Sequence, residues 1–145
     1  MAPKHVPHKF AKDQDSTGQE IADYMSSPII SVNLASTIKE TAQFLSEKKI
    51  GCVLVEENDE FVGILTETDL TRKVLGQGLD PDTTKVSEIM TQPIISLDCR
   101  LPITKANAYM AEKKIRHLAI TDNDKIVGMI SVKDLVAFFA NPRLR

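Results

Sequence analysis

The segment VGILTETDL, Val62–Leu70, has a close counterpart in VGMISVKDL, Val127–Leu135, 65 residues further along the chain. The same shift aligns Ile21–Leu75 with Val86–Ala140 without a gap, and 16 of the 55 aligned pairs are identical. Internal repetition of this kind indicates the overall architecture more directly than any other feature of a sequence. The chain is therefore a tandem duplication, and its two copies should have the same fold.

Each copy predicts the same order of elements, β-α-β-β-α. The strands are short apolar runs bounded by turn residues, and the helices have apolar positions that recur every three or four residues. Asn and Asp residues between the second and third strands predict a hairpin turn. The predicted strands are 29–32, 52–55 and 61–65 in the first copy, and 94–97, 117–120 and 126–130 in the second. The predicted helices begin near Ser36 and Thr66 in the first copy, and near Pro102 and Ser131 in the second.

The predicted fold class is α+β. One copy has too little core to be stable alone, so the two copies should pack sheet to sheet about a pseudo-twofold axis. The expected boundaries are a flexible N-terminal tail at 1–18, a first repeat at 19–76, a linker at 77–85 and a second repeat at 86–141. The tail is expected to be flexible because it lacks apolar periodicity.

Composition argues against several classes of function. A net charge of −2, an isoelectric point near 5.9 and 5% aromatic residues offer neither a basic surface nor stacking platforms for nucleic acid. No apolar run approaches the roughly 18 residues that a membrane span needs. The first ten residues are basic and polar, without the apolar core of a secretory signal. A cytoplasmic location is therefore expected.

No catalytic centre or metal site is expected either. The two cysteines, Cys52 and Cys99, have no metal-ligand spacing, and two are too few for a disulfide framework. Cys52 lies in an apolar run, where a cysteine serves as a small buried side chain. The sequence shows no nucleophile–base pair and no catalytic glycine-rich loop. We therefore expect a protein that is not an enzyme.

Both copies end the third strand with the pattern G-h-x-[ST]-x-x-D, where h is apolar. The pattern residues are Gly63, Thr66 and Asp69 in the first copy, and Gly128, Ser131 and Asp134 in the second. A strand that runs into a helix start presents unpaired N–H groups, which suit a phosphate. The hydroxyl can add one hydrogen bond, and the carboxylate can accept both hydroxyls of a ribose. The glycine permits a close approach of backbone or ligand.

The same pattern has a purely structural interpretation. A hydroxyl residue followed three positions later by an acidic residue is also typical of a capping box, which only satisfies the helix start. Repetition at one register in both copies fits either interpretation.

The chain resembles the CBS-domain family, and specifically a tandem pair of CBS domains, or Bateman module. The resemblance covers about residues 20–140. It is carried by three pairs of segments at the starts, middles and ends of the copies: IADYMSSPIISV and VSEIMTQPIISL, EKKIGCVLV and EKKIRHLAI, and VGILTETDL and VGMISVKDL.

The resemblance implies binding of an adenosine-type nucleotide, AMP, ADP or ATP, in clefts between the repeats. This nucleotide would be a regulatory ligand and not a catalytic cofactor. The residues that the resemblance implies are Asp69 and Asp134 for the ribose, Thr66 and Ser131 for the phosphate, and the main chain at Ile29, Ile30, Ile94 and Ile95 for the adenine.

The two copies differ at the start of their second strands, where the family often places cations for phosphate. The second copy has Arg116 and His117, and the first has Gly51 and Cys52. Arginine presents several donors to phosphate oxygens, and histidine adds another. We therefore expect two unequal sites, of which the one near Arg116 and His117 binds polyphosphates better, and we expect this pair to reach across to the cleft that holds Asp69. In the alternative interpretation, Arg116 is a solvated strand-end charge and His117 a partly buried side chain.

Three functions follow as hypotheses. The first is a sensor, in which an adenosine ligand changes the conformation or self-association of the pair and so regulates an unidentified partner protein. The second is a ligand-free module that is kept for its dimer surface, since isolated pairs of the family usually form homodimers through their helices. The third is a sensor of S-adenosylmethionine, which shares the adenosine half. Intact Asp and Ser/Thr positions in both copies favour a sensor.

Overall fold

The computed structural model describes residues 5–8, 19–26 and 29–140. The chain divides into two compact units. The first unit contains Ile30–Ile94, and the second joins residues 19–26 and 29 to residues 95–140. Strand β1, His5–His8, lies inside the segment that is expected to be a flexible tail. The other residues of that segment lie outside the described ranges.

The first unit contains a three-stranded sheet in the order β2-β3-β4. Its strands are β2, Ser31–Asn33; β3, Cys52–Glu57; and β4, Glu60–Thr66. Strand β2 runs parallel to β3, and β3 runs antiparallel to β4. The β3–β4 hairpin turns at Asn58 and Asp59, which have φ values of 51° and 63°. Asn and Asp tolerate this left-handed conformation, which a two-residue type I′ turn requires.

Three helical segments complete the first unit. Helix α1, Ile38–Lys48, begins close to the predicted position near Ser36, and its N-cap is Thr37. Thr37 Oγ1 accepts a hydrogen bond from Glu40 N, and the Glu40 carboxylate accepts one from Thr37 N, both at 3.1 Å. Helix α2, Glu67–Asp69, continues directly into a π-helix, Leu70–Leu75, and α3 spans Val86–Ile89.

The second unit repeats this plan. It contains a 3₁₀ turn, Ile21–Asp23, and its sheet has four strands in the order β1-β5-β6-β7, with β1 as the additional strand. The further elements are β5, Ile94–Asp98; α4, Ile103–Lys113; β6, His117–Asp122; β7, Lys125–Ser131; and α5, Val132–Ala140. Strand β5 is parallel to β6, and β6 is antiparallel to β7. Pro102 is the N-cap of α4, so this helix begins next to the predicted position. The predicted α+β class, with the same element order in both copies, is confirmed.

Each compact unit is offset from the sequence repeat. Val86 and Ile89 open the second sequence repeat, yet both are buried in the core of the first unit. Ile21 opens the first sequence repeat and is buried in the core of the second unit. Backbone hydrogen bonds of 2.9 Å fasten these segments, from Val86 N to the Ser36 carbonyl and from Ile21 N to the Leu101 carbonyl.

The segment expected to be a linker, residues 77–85, also packs within the first unit. Its Pro81 and Thr84 carbonyls accept hydrogen bonds from Lys39 N and Ile38 N at 3.0 and 2.9 Å. Thr84 is buried. These bonds satisfy two N–H groups at the start of α1, which the helix itself leaves without partners. None of the described helices has the length and apolarity required to cross a bilayer.

Candidate functional site

The pattern residues of the first copy form a tight strand-to-helix corner, which we call the first corner. Thr66 ends β4 with extended backbone, φ −120° and ψ 164°, and caps α2. The Asp69 carboxylate oxygen Oδ2 accepts hydrogen bonds from Thr66 N at 3.0 Å and from Thr66 Oγ1 at 3.3 Å. Thr66 Oγ1 in turn accepts from Asp69 N at 3.3 Å. The structural interpretation of the pattern, a capping box, is therefore realised here.

Asp69 has further partners inside the same unit. Its second oxygen, Oδ1, lies 2.9 Å from Lys73 Nζ and accepts a hydrogen bond from Thr91 Oγ1 at 3.1 Å. Lys73 Nζ also donates to the Ile89 carbonyl at 3.0 Å. The Asp69 residue is only 6% exposed. A carboxylate that is so far removed from water requires charged or hydrogen-bonding partners, and these contacts supply them.

The second corner is formed by Ser131 and Asp134. Asp134 Oδ2 accepts hydrogen bonds from Ser131 N at 2.8 Å and from Ser131 Oγ at 3.0 Å. Asp134 is half-buried, in contrast to Asp69. Within residues 19–26 and 29–140, Asp134 Oδ1 has no hydrogen-bond or ion-pair partner. This oxygen can therefore accept a hydrogen bond from another molecule.

The difference in ion pairing between the corners follows from one substitution in the duplicated sequence. Phe138 stands where the first copy has Lys73, whereas Ser26, which is aligned with Thr91, keeps a hydroxyl group. Phe138 is buried in the apolar core and packs edge-on against Tyr24, with ring centroids 5.1 Å apart. Among the described residues, no ammonium group faces Asp134.

The glycine of each corner lies in close contact with a neighbouring segment of the chain. A Cβ atom on Gly63 would lie 2.7 Å from Met90 Sδ and 3.1 Å from the Thr91 carbonyl oxygen. A Cβ atom on Gly128 would lie 2.8 Å from both Met25 Sδ and the Ser26 carbonyl oxygen. The close approach expected at each glycine is therefore made by a neighbouring segment of the same chain.

The helix starts offer fewer free N–H groups than predicted. Glu67 N donates to the Gly51 carbonyl and Val132 N to the Arg116 carbonyl, each at 3.0 Å. The N–H groups of Asp69 and Asp134 donate to the capping hydroxyls. The prediction of unpaired N–H groups is therefore wrong for the first and third helical residues of both copies, because the residue before the neighbouring strand, β3 or β6, and the capping hydroxyl already bind them.

Arg116 and His117, the two residues expected to contact a phosphate, lie beside the second corner. Arg116 is exposed and directly precedes β6, and its carbonyl receives the first N–H of α5. His117 is directly opposite Ser131 in the β6–β7 ladder. In the first unit, Cys52 is opposite Thr66 in the same way. The structure thus brings Arg116 and His117 to the unit that holds Asp134; their reach towards Asp69 stays a prediction.

Of the candidate adenine-framing residues, Ile29 and Ile30 directly precede β2, and Ile94 and Ile95 are the first residues of β5. Ile30 belongs to the first unit, and its carbonyl accepts a hydrogen bond from Leu54 N at 3.1 Å. Ile94 is fully buried, whereas Ile29 and Ile95 are half-buried. The main-chain carbonyl of Ile30 is therefore used in the sheet.

Lys73 and Thr91 were not identified from the sequence. Asp69 and Lys73 are four residues apart in a helical segment, a spacing at which acidic and basic side chains meet. Thr91 was identifiable from the repeat, since a hydroxyl residue follows the aligned methionine in both copies. Among the described residues, no group of three or more His, Cys, Asp or Glu side chains could hold a metal ion. Burial, reinforced by Asp122 and Asp98, raises the pKa of the Cys99 thiol and keeps it protonated at neutral pH.

Comparison with known proteins agrees with the duplicated architecture. The CBS domain model matches residues 21–76 and 86–141. An uncharacterised protein of Methanopyrus kandleri, MK0525, is 37% identical over 110 residues, which cover 74% of this chain and 56% of that protein. The chain thus spans little more than half the length of this relative.

Two solved structures are also similar. The CBS domain pair of protein MJ0100, in complex with 5′-methylthioadenosine and S-adenosyl-L-methionine, is 25% identical with a TM-score of 0.75, covering 84% of this chain and 96% of that one. A hexameric CBS-CP12 protein from bloom-forming cyanobacteria is 27% identical with a TM-score of 0.77, covering 87% of this chain and 77% of that one.

The family model accounts for most of the chain in two separate matches, one for each copy of the duplication. Both matches contain the capped strand-to-helix corner, with the Gly, hydroxyl and Asp positions intact. The chain therefore belongs to the CBS-domain family, as a tandem pair of CBS domains.

Proposed function

We propose that this CBS pair is a non-catalytic sensor of an adenosine-type nucleotide, AMP, ADP or ATP, and that the second corner is its principal binding site. One observation carries the proposal: Asp134 uses Oδ2 for the cap and leaves Oδ1 without a partner among the described residues. A cap alone needs one carboxylate oxygen, so the other can accept a ribose hydroxyl while the helix start stays satisfied.

The remaining residues have complementary roles in this proposal. Ser131 turns its O–H from Asp134 Oδ2 to the phosphate, while the Ser131 N–H keeps its hydrogen bond to the same carboxylate oxygen at 2.8 Å. Arg116 and His117 add positive charge or donors on the neighbouring strand. The main chain at 29–30 and 94–95 frames the adenine. Asp69 and Thr66 form an equivalent but weaker contact pair in the first unit. The similarity to the MJ0100 pair, which was solved in complex with two adenosine derivatives, supports an adenosine half in the ligand, which the alternative S-adenosyl class shares.

The regulatory consequence of binding is a change in conformation or self-association, which a partner protein in the cytoplasm would detect. The binding of adenosine compounds must be measured first, because every later step depends on it.

A thermal-shift panel tests the proposal. A ligand at about 100 times its dissociation constant stabilises the folded state by about 2.7 kcal/mol. For a chain of this size, that corresponds to a rise in Tm of roughly 5–11 °C. We expect this rise with AMP, ADP or ATP and not with guanine nucleotides. S-adenosylmethionine and 5′-methylthioadenosine belong in the panel, since a response to them alone would assign the S-adenosyl class instead.

A matched pair of variants locates the site. Asp134→Asn keeps the side-chain shape but lowers the charge of the proposed ribose acceptor, and it should remove most of the ligand-induced shift. Asp122→Asn neutralises an exposed carboxylate of the same unit and should leave the shift unchanged. Equal shifts in wild type and Asp134→Asn would contradict the assignment of the second corner.

A second candidate function, self-association without ligand, is favoured by an apolar groove in the second unit. The groove lies between α4 and α5 and has a volume of about 520 Å³. Its rim includes Val132, Val136 and Phe139, which are 40%, 61% and 38% exposed. Clustered exposed apolar side chains indicate an interaction surface. A homodimer through these helices is compatible with the sensor, and the hexameric relative shows that CBS proteins assemble.

A further inference from the structure

Lys73 occupies the position in the first corner that a ribose hydroxyl would need. Its Nζ lies 2.9 Å from Asp69 Oδ1, where Thr91 Oγ1 also donates at 3.1 Å. The other carboxylate oxygen, Oδ2, is taken by the Thr66 cap. Both oxygens of Asp69 are therefore engaged by groups of the same unit, and a ligand can reach this carboxylate only by exchanging with one of them.

Burial makes this exchange costly. The Asp69 side chain is 8% exposed, so its charge is largely removed from water and depends on internal partners. The Lys73 side chain is 44% exposed, which leaves its ammonium group free to swing into solvent when another group takes its place. Its second anchor, the Ile89 carbonyl at 3.0 Å, holds it in the inward position in the absence of a competitor.

The second corner lacks this competitor. Phe138 stands at the position of Lys73 and is buried among apolar side chains. An aromatic ring provides no counter-ion, so Asp134 Oδ1 has no ammonium partner among the described residues. The same family pattern therefore carries an internal cation in one copy and none in the other.

We propose that Lys73 competes with the ligand ribose for Asp69 and so lowers the affinity of the first corner. The second corner consequently binds first, and the first corner binds only when the ligand displaces the Lys73 ammonium group. This inference rests on the proposed function, because it concerns the relative affinity of the two corners for the same ligand class. It gives the opposite order of sites to the expectation based on Arg116 and His117, which favours the cleft that holds Asp69; that expectation concerns the phosphate and not the ribose.

Titration calorimetry with adenosine, which has no charge of its own, tests the competition. Measured in an Asp134→Asn background, binding reports the first corner. Lys73→Met removes the ammonium group and keeps an unbranched side chain, so it should tighten adenosine binding by about three- to tenfold, equivalent to roughly 0.7–1.4 kcal/mol. Lys39→Met is the matched control, since it removes an exposed lysine of the same unit whose partner is Asp82 at 3.4 Å.

Salt dependence gives a second readout that a structural role would not produce. Raising salt from about 50 to 500 mM weakens an accessible ion pair. In the Asp134→Asn background, adenosine affinity should therefore rise with salt when Lys73 is present and stay constant in Lys73→Met. If Lys73→Met unfolds, Lys73→Gln retains an N–H donor for the Ile89 carbonyl without the charge, and the same comparison applies.

The outcomes separate the two proposals. Unchanged or weaker adenosine binding in both Lys73 variants, with wild-type binding intact, overturns the competition and leaves the sensor in place. Failure of every variant, including those without Lys73, to bind any adenosine compound overturns both proposals. A tightening of the same size in Lys39→Met would show a general charge effect and would also overturn the role of Lys73.

Discussion

Asp69 and Asp134 show how one residue type in one sequence pattern acquires two environments. Each caps its helix through Oδ2, at 3.0 Å from Thr66 N and 2.8 Å from Ser131 N. The environments diverge at Oδ1, where Asp69 has an ammonium group and a hydroxyl as partners. The pattern therefore specifies the cap, and the residues around it decide whether a carboxylate oxygen remains available to a ligand.

The charge of Arg116 allows a prediction at the same scale. If Arg116 binds phosphate, Arg116→Ala should weaken ATP binding by about tenfold or more, because a hydrogen bond to a charged group contributes about 1.5–3 kcal/mol. Adenosine binding should not change, since adenosine has no phosphate. Arg100→Ala is the control: Arg100 is an exposed arginine of the same unit, and it pairs with Asp98 at 2.9 Å. Calorimetry with both ligands makes the comparison, and an equal loss for ATP and adenosine would contradict the phosphate role.

At the scale of the elements, each corner depends on a strand that touches a neighbouring segment. Residues Ile64 and Thr91 exchange backbone hydrogen bonds of 3.0 and 2.8 Å, and residues Ser26 and Met129 exchange bonds of 2.7 and 3.2 Å. The glycine of each pattern directly precedes the strand residue that makes these hydrogen bonds. It allows the contact, because a side chain at this position would push the two segments apart. The motif glycine thus has a packing role as well as any role towards a ligand.

The two glycines provide a matched prediction. In Gly128→Ala the new methyl group meets the Ser26 backbone carbonyl at 2.8 Å, whereas in Gly63→Ala the nearest backbone oxygen is 3.1 Å away and the closest atom is the flexible Met90 sulfur. Gly128→Ala should therefore destabilise more, by roughly 1–3 kcal/mol, which is the range for overpacking. Urea unfolding of both variants measures the difference. Equal or reversed losses would show that the backbone at Ser26 moves readily.

At the scale of the whole molecule, the duplication places similar elements in both units, and the second unit has an apolar groove between α4 and α5. That groove allows a prediction about assembly. If the protein self-associates through this groove, as proposed, Val136→Lys places a charge on the rim and should lower self-association by at least tenfold, because burial of an unpaired charge in an interface is strongly unfavourable. Leu75→Lys, at an apolar position of the first unit that is 77% exposed, is the control. Sedimentation velocity across a concentration series would show the change; identical behaviour of wild type and Val136→Lys would exclude the groove as the contact.

The sequence by itself determined the duplication, the β-α-β-β-α order, the two hairpin turns and the register of the Gly–hydroxyl–Asp pattern. These are local properties: apolar periodicity, turn-forming Asn and Asp, and capping residues act over a few positions. Because the sequence repeats at a shift of 65 residues, each of these patterns occurs twice, and each copy supports the prediction made for the other.

Only the tertiary structure decided how the segments are shared and which carboxylate is occupied. Val86 and Ile89 pack against elements that precede them by some 30 to 50 residues. The repeat in the sequence does not predict which apolar residues they contact. Likewise, Thr91 meets Asp69 across 22 residues of chain. Non-local contacts depend on the closure of the whole core, so the asymmetry between the two corners was decided by packing and not by the motif that they share.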